Sequence, residues 1–174
     1  MPVGIGYDVH RLVAGRALFL GGVEFSFDRG LLGHSDGDVA LHAAMDALLG
    51  AASLGDIGQL FPPGDPRYAN VRSVELLRRV AQLVVDQGWH IGHLDLMIIA
   101  EEPRLGPRVP EMRRVISQTI GIAPERVSIK ATTNEGLGFI GRGEGIAALA
   151  VAELIPGDPS NDRAGTSTGE ERRG

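Results

Sequence analysis

One short stretch, residues 33–42, constrains the chain most strongly, and it reads G-H-S-D-G-D-V-A-L-H. Its two glycines allow the backbone to turn tightly around Ser35 and Asp36. Strong helix formers follow from residue 39, and Asp38 is well placed to cap the free N–H groups of the first helical turn. The stretch therefore predicts polar chemistry concentrated where a loop enters a helix.

His42 lies one turn inside this predicted helix. Asp38, His42 and Asp46 follow one another at intervals of four residues, so they share one face of the helix. A carboxylate on that face would fix the tautomer of a metal-binding imidazole. The alternative is a solvated polar stripe, because isolated His and Asp residues are common on helices.

The N-terminal segment, V-G-I-G-Y-D-V-H, alternates in the manner of a β-strand. Asp8 and His10 then project from the same face, because side chains along a strand repeat every two residues. With His42 they would form a three-ligand site, which leaves the fourth position of a tetrahedral zinc ion for water or substrate, as in catalytic sites. Asp8 taken by itself has a simpler interpretation as a turn or cap residue.

Composition limits both the metal ligands and the partners. The 174 residues include no cysteine, so thiol nucleophiles and thiolate sites are excluded and a metal must be held by His, Asp or Glu. The net charge of −5 argues against broad binding to nucleic acids or anionic membranes. No apolar run is long enough to cross a bilayer and no signal peptide is recognisable, so we expect a cytoplasmic protein.

Hydrophobic periodicity and turn residues predict the other elements. We expect a hairpin with strands 17–20 and 23–27, helices over 73–87 and 109–120, and strands over 89–100 and 126–131. Residues 61–66 are a stiff proline-rich loop, which is either a lid or a plain connection. Residues 145–155 are apolar throughout, and periodicity alone does not separate a buried strand from a helix there.

The length predicts a single domain, which we place at residues 1–157. Residues 158–174 contain no large apolar side chain, which predicts a disordered tail. We therefore expect removal of the tail to leave the melting temperature and the activity nearly unchanged, because it buries no apolar surface. Thermal unfolding of the truncated and full-length proteins measures this, and a loss of several degrees would mean that the tail docks on the domain.

A second polar concentration covers residues 130–145, K-A-T-T-N-E-G-L-G-F-I-G-R-G-E-G. Thr132, Thr133 and Glu135 suit phosphate oxygens and a hard cation. The alternative is a glycine-rich turn with incidental polar residues. Residues 136–141 formally fit the G-x-G-x-x-G pattern, but that fingerprint needs a βαβ unit and an acidic residue about 20 positions further on, so we reject a dinucleotide site.

Four motifs occur together in this chain: D-V-H, G-H-S-D-G-D-V-A-L-H-A, D-I-G-x-x-F-P-P-x-D-P and K-A-T-T-N-E-G-L-G-F-I-G-R-G-E-G-I-A. In this order they closely resemble the 2-C-methyl-D-erythritol 2,4-cyclodiphosphate synthases of the non-mevalonate isoprenoid pathway, from Val3 to about Ile155. The resemblance implies a two-layer α+β fold, a mixed β-sheet with helices on one face. It also implies a homotrimer with active sites between subunits, and a strand for the final apolar run.

The resemblance assigns chemical roles to matching positions. It gives Asp8, His10 and His42 as ligands of one zinc ion per subunit. It gives Glu135 as the carboxylate that holds a second divalent cation, magnesium or manganese, against the diphosphate. His34 and Thr133 match residues that stabilise the transition state.

Further matches concern the small-molecule substrate, a cytidine diphosphate derivative. The matching residues are Ser35, Asp56, Ile57, Gly58, Phe61 and Asp65 at the methylerythritol end. In the cytidine pocket they are Ala100 to Gly106, with Arg104 and Leu105 among them, and Ala131 to Thr133, with Thr132 among them. Phe139 and Arg142 match a phosphate-contacting or central-cavity region. Two departures occur, since Arg104 stands where a lysine is frequent and the tail after Gly157 is extra.

In the family reaction the 2-phosphate of 4-diphosphocytidyl-2-C-methyl-D-erythritol 2-phosphate attacks the β-phosphorus, expels CMP and closes a cyclic diphosphate. Two other functions stay open on sequence alone. The same ligand set suits a metal-dependent phosphoesterase in which zinc activates water. A non-catalytic module that binds isoprenoid diphosphates or nucleotides is the second.

Overall fold

The computed structural model describes residues 1–62, 64–68 and 71–157. Its strands are β1 (Val3–Ala14), β2 (Leu18–Leu20), β3 (Val23–Phe25), β4 (Arg29–Leu31), β5 (Trp89–Ile99), β6 (Val127–Thr132) and β7 (Gly145–Pro156). Its α-helices are α1 (Val39–Ala51), α2 (Ile57–Leu60), α3 (Ser73–Asp86), α4 (Val109–Ile120) and α5 (Gly138–Gly141), and 3₁₀ turns cover Pro66–Tyr68, Gly106–Arg108 and Pro124–Arg126. The predicted tail, residues 158–174, lies outside the described residues.

Five strands form one sheet in the order β4-β1-β7-β5-β6, and β2 pairs with β3 in a separate hairpin. β5 and β6 are parallel, whereas the other neighbours in the large sheet are antiparallel. The final apolar run is the strand β7, whose two edges pair with β1 and β5. The predicted mixed sheet and α+β fold are confirmed.

Most element boundaries agree with the predictions within a residue or two. β1 is longer than predicted, because the backbone pairs with β4 up to Ala14. β3 is shorter than predicted and ends at Phe25, the last residue that pairs with β2.

Helix α1 packs directly on β1, and two glycines make this close approach possible. A Cβ atom at Gly4 would lie 2.0 Å from the carbonyl oxygen of Ala47, and one at Gly6 would lie 2.0 Å from that of Ala43. Real Cβ atoms do not approach an oxygen so closely, so any other residue would push the helix away from the sheet.

The same contact positions the candidate metal ligands. Side chains alternate along a strand, so Asp8 and His10 point to the side of β1 on which the two glycines meet α1. His42 lies on α1 and is almost fully buried. Strand and helix therefore present the three predicted ligands to a common space.

The opposite face of the sheet carries an apolar patch that no other described residue covers. On β1, Val3, Ile5 and Tyr7 are 62%, 70% and 53% exposed. Val151 of β7 lies beside Ile5 in the sheet and is also exposed. The predicted arrangement with helices on one face is thus observed.

Asp38 connects the β2–β3 hairpin to the start of α1. Its carboxylate is fully buried and accepts hydrogen bonds from the N–H groups of Gly21 (2.9 Å), Gly22 (2.6 Å) and Leu41 (3.1 Å). The first two belong to the hairpin turn, and the third belongs to the first turn of the helix. The predicted cap is confirmed, with an additional tertiary role.

We expect Asp38→Ala to lower the free energy of unfolding by about 2–4 kcal/mol, because it removes a cap and leaves buried N–H groups without partners. Asp56→Ala is a matched control, since Asp56 caps the short helix α2 at the surface through the N–H of Gln59 (2.9 Å). Chemical denaturation of both variants provides the measurement. Equal losses in the two would contradict the tertiary role of Asp38.

Candidate metal centre and substrate pockets

Asp8, His10 and His42 converge as predicted and form a candidate metal-ligand triad. Asp8 Oδ2 lies 2.9 Å from His10 Nε2 and 2.9 Å from His42 Nδ1, and these two nitrogens are 3.1 Å apart. Bonds of about 2.0–2.1 Å to a tetrahedral zinc ion would place ligand atoms roughly 3.3 Å apart. One carboxylate and two imidazoles at the observed spacing therefore fit a small divalent ion.

The short contacts within the triad shift the pKa values of Asp8 and His10. Burial of Asp8 opposes its ionisation, but hydrogen bonds from His10 and His42 outweigh this and lower the pKa of the Asp8 carboxyl below its usual range. Burial likewise disfavours the charged form of His10, yet the Asp8 carboxylate raises the pKa of His10. Protons therefore compete with a metal ion here, and metal binding weakens as the pH falls.

Both imidazoles are held by hydrogen bonds on the side away from the triad. His10 Nδ1 lies 2.6 Å from the carbonyl oxygen of Leu32, which can only accept, so Nδ1 carries a proton and Nε2 faces the triad. His42 is turned the other way, with Nδ1 toward the triad. Its Nε2 lies 3.1 Å from the Ser35 hydroxyl and 3.2 Å from the Ser73 hydroxyl.

The prediction that a carboxylate on the same helix face fixes the His42 tautomer is wrong. The Asp38 side chain accepts from backbone N–H groups, and Asp46 Oδ1 accepts from the N–H of Ile57 at 2.8 Å. N–H groups at helix starts have no partner within the helix, so they attract nearby carboxylates. Ser73 contacts His42 instead. This contact could not be inferred from sequence spacing, because Ser73 begins α3, 31 residues after His42.

A pocket of about 290 Å³ opens beside the triad, and we call it the metal pocket. Besides the triad it is lined by His34, Ser35, Met45, Ile57, Gly58, Phe61, Tyr68 and Leu76. Five of these were predicted: His34, Ser35, Ile57, Gly58 and Phe61. Asp65 and Asp56 were also predicted but do not line this pocket. The backbone oxygen of Asp65 lies 3.2 Å from His34 Nε2, and Asp56 caps α2.

Sequence reasoning missed three lining residues of the metal pocket. Tyr68 packs edge to face on Phe61, with ring centroids 5.2 Å apart, so these two aromatic side chains form one wall of the pocket. Met45 follows His42 by three residues on α1 and could have been found from helical spacing. Leu76 comes from α3 and carries no signal of its own in the sequence.

A second pocket gathers the residues assigned to the cytidine site. It is lined by Ala100, Glu101, Pro103, Arg104, Leu105, Gly106, Pro107, Ala131, Thr132 and Thr133. The Glu101 carboxylate also accepts from the N–H of Asn134 (2.8 Å) and so holds the next loop. In that loop the hydroxyl of Thr133 lies 3.2 Å from the carboxylate of Glu135.

The two pockets share no lining residue. Asp8 on β1 is aligned through Ala148 on β7 and Ile98 on β5 with Ala131 on β6. Asp8 and Ala131 are thus three strand spacings of about 4.8 Å apart, which separates them by roughly 14 Å within one chain. Thr133 and Glu135 are therefore not brought to the triad by the fold of a single chain.

Phe139 and Arg142 lie outside both pockets. Phe139 is 44% exposed on α5. The Arg142 guanidinium donates to Glu144 at 2.6 Å and lines a separate cavity with Arg29. Their predicted role in a phosphate-contacting or central-cavity region stays a prediction.

Fold and site together define a class of protein, the mixed-sheet α+β proteins with a carboxylate–histidine triad that could hold a metal ion. The model of the YgbB family matches residues 1–155, and the chain belongs to that family.

Among the described residues, no helix has the length and apolar character to span a membrane. The cytoplasmic location stays a prediction.

Individual relatives agree with the family match. The chain is 61% identical over 157 residues to the 2-C-methyl-D-erythritol 2,4-cyclodiphosphate synthase of Symbiobacterium thermophilum, covering 90% of this chain and 99% of that protein. It is similar to the bifunctional IspDF from Campylobacter jejuni, with 41% identity, a TM-score of 0.87, and coverage of 90% of this chain but 42% of that one. It is also similar to IspF from Plasmodium falciparum in complex with CDP, with 33% identity, a TM-score of 0.80, and coverage of 90% and 97%. The resemblance inferred from the four motifs is confirmed.

Proposed function

We propose that the protein is a cyclodiphosphate synthase that converts 4-diphosphocytidyl-2-C-methyl-D-erythritol 2-phosphate into 2-C-methyl-D-erythritol 2,4-cyclodiphosphate and CMP in non-mevalonate isoprenoid biosynthesis. The observation that carries this is the triad opening into a pocket with His34 and Ser35. In the reaction an oxygen of the 2-phosphate forms a bond to the β-phosphorus, and the bond from that phosphorus to CMP breaks, with CMP keeping the electron pair. The enzyme is thus a phosphorus–oxygen lyase.

Binding and orientation are the main tasks of the side chains, because the attacking phosphate is already an anion and needs no general base. Asp8, His10 and His42 would hold zinc, and Glu135, beside the Thr133 hydroxyl, would hold magnesium or manganese. When bound, these ions supply positive charge that offsets the repulsion between the phosphates. A chain with a net charge of −5 needs such local cations for an anionic substrate.

Hydrogen-bond donors complete the proposed site. We assign His34 and Thr133 to the phosphoryl oxygens, where donors aimed at developing charge lower the barrier. Ser35, Ile57, Gly58 and Phe61 would surround the methylerythritol end in the metal pocket. The second pocket, with Arg104 and neighbouring residues, would take the cytidine.

The proposed active unit is a homotrimer with sites between subunits. Support comes from the uncovered apolar sheet face around Val3, Ile5, Tyr7 and Val151, which a second copy would bury. Further support is the separation of the metal pocket from the second pocket within one chain. A neighbouring subunit would then place its second pocket beside this chain's metal pocket.

Product analysis tests the proposed reaction. The purified protein is incubated with 4-diphosphocytidyl-2-C-methyl-D-erythritol 2-phosphate, with and without a chelator, and the phosphorus NMR spectrum is recorded. We expect cyclic diphosphate and CMP in equal amounts, loss of both with chelator, and recovery when zinc and magnesium are returned. Release of inorganic phosphate would favour the phosphoesterase instead, and binding without turnover in the metal-loaded protein would favour the non-catalytic module.

A further inference from the structure

Asp36, in the loop before α1, has a buried carboxylate surrounded by donors. Its exposed fraction is 8%, and its oxygens contact the Ser73 hydroxyl, the Ser73 N–H (3.1 Å), the Asp38 N–H (3.3 Å) and the Arg72 guanidinium (3.2 Å). A carboxylate paired with arginine accepts hydrogen bonds and donates none. The Ser73 hydroxyl must therefore donate its proton to Asp36.

This donation fixes the direction of the next hydrogen bond. The Ser73 hydroxyl is fully buried and has a single proton, which is already given to Asp36. Its oxygen can then only accept from His42 Nε2, 3.2 Å away. A serine alone could either donate to an imidazole or accept from it, so the carboxylate behind Ser73 decides between the two tautomers.

We propose that Asp36 is a positioning residue of the metal centre, which acts through the Ser73 hydroxyl to hold His42 with its proton on Nε2 and its Nδ1 lone pair toward the metal. The proposal rests on the metal site of the proposed function. It extends that site to Asp36 and Ser73, two residues outside the proposed ligand set.

The two histidines of the triad are thus oriented by different means. His10 is held directly by the carbonyl oxygen of Leu32, which can accept a hydrogen bond but cannot donate one. Within the part of the chain that the structure describes, the outer nitrogen of His42 contacts hydroxyl groups alone, those of Ser73 and Ser35. Among the described residues, no carboxylate contacts the Ser35 hydroxyl, which lies 3.3 Å from the Ser73 hydroxyl and accepts from the N–H of Gly37 at 3.2 Å. Ser35 therefore does not impose a direction as Asp36 and Ser73 do.

Zinc affinity measured by competition with a chromophoric chelator tests the proposal, using Ser73→Ala, Asp36→Asn and the double variant. Outer partners of metal-binding histidines typically contribute a factor of about 10–100 in affinity, so we expect each single variant to bind zinc at least about tenfold more weakly. Ser117→Ala is the matched control. It also deletes a buried serine hydroxyl, but that hydroxyl donates to the Arg114 carbonyl (3.0 Å) on α4, and wild-type affinity is expected.

The double variant separates action through Ser73 from general damage to the loop. If Asp36 acts through the hydroxyl, Asp36→Asn adds little once Ser73 is alanine, so the two effects are not additive. In zinc-loaded wild-type protein, the His42 Nε2–H proton should exchange slowly with solvent in NMR spectra, and Ser73→Ala should speed the exchange.

Two results would overturn the proposal: additive effects of the two substitutions, or single variants that fold and bind zinc within about twofold of wild type. Circular dichroism establishes folding, and Ser73→Ala, which leaves the Asp36 contacts to the backbone in place, keeps the test valid if Asp36→Asn does not fold. Failure of wild-type protein to bind zinc would instead refute the metal site of the proposed function.

Discussion

His42→Ala is expected to reduce bound zinc from about one ion per chain to a small fraction and to lower cyclase activity by more than about 100-fold. Loss of an outer partner alone typically costs a factor of about 10–100 in metal affinity, and loss of a ligand should cost more. Only Asp8 and His10 would remain, and two ligands do not make a closed zinc site. Metal analysis after dialysis and the phosphorus NMR assay provide the two measurements.

His90→Ala is the matched control for this prediction. His90 is exposed at the start of β5, outside the metal pocket, so its variant should keep both zinc and activity. Alanine is a strong helix former, so His42→Ala should leave α1 intact, as circular dichroism can verify. Undiminished zinc in folded His42→Ala would show that the ion is held elsewhere.

Local patterns predicted that the three candidate ligands converge, because the position of each side chain follows local rules of strands and helices. Alternation along β1 put Asp8 and His10 on one side, and the cap at Asp38 fixed where α1 begins. Bringing β1 and α1 together depends on glycines at alternate positions of the strand. Those glycines are visible in V-G-I-G, but only the packed helix explains why they are needed.

Long-range contacts were not predictable in the same way. Ser73 reaches His42 because α3 packs beside α1, and a serine at a helix start has many ordinary explanations. Asp46 shows an error of the opposite kind. Helical spacing correctly placed Asp46 on the same side of α1 as His42, but its carboxylate accepts a hydrogen bond from the N–H of Ile57 and does not contact the imidazole. Helical spacing predicts which side chains share a face of a helix. It does not predict which of several nearby groups each side chain binds.

Local sequence patterns did not predict the order of the strands in the sheet either. β7 is the last strand among the described residues, yet it lies between β1 and β5. Asp8 on β1 and Ala131 on β6 are therefore three strand spacings apart, and so are the two pockets that they line. The motifs indicated that both sets of residues serve one reaction. Their separation in the fold motivates a test of how a complete site is assembled.

Mixing two inactive variants is expected to restore activity if each site forms between neighbouring subunits. His42→Ala removes a ligand from the triad, whereas Glu135→Ala removes the carboxylate proposed to hold the second cation. In the trimer that we propose, these residues serve the same site from different chains. A site that combines the triad of a Glu135→Ala chain with the Glu135 of a His42→Ala chain is therefore intact.

The expected recovery follows from the geometry of a cyclic trimer. With equal amounts and random exchange, roughly three-quarters of the rings contain both kinds of chain, and each such ring has one junction with both intact halves. One working site of three in those rings gives about a quarter of wild-type activity. A tagged-subunit pull-down confirms exchange, and a mixture of wild type with His42→Ala calibrates the assay. Exchange without recovery, from two variants that each fold, would place both halves of the site in one chain, since no mixture could then contain an intact site.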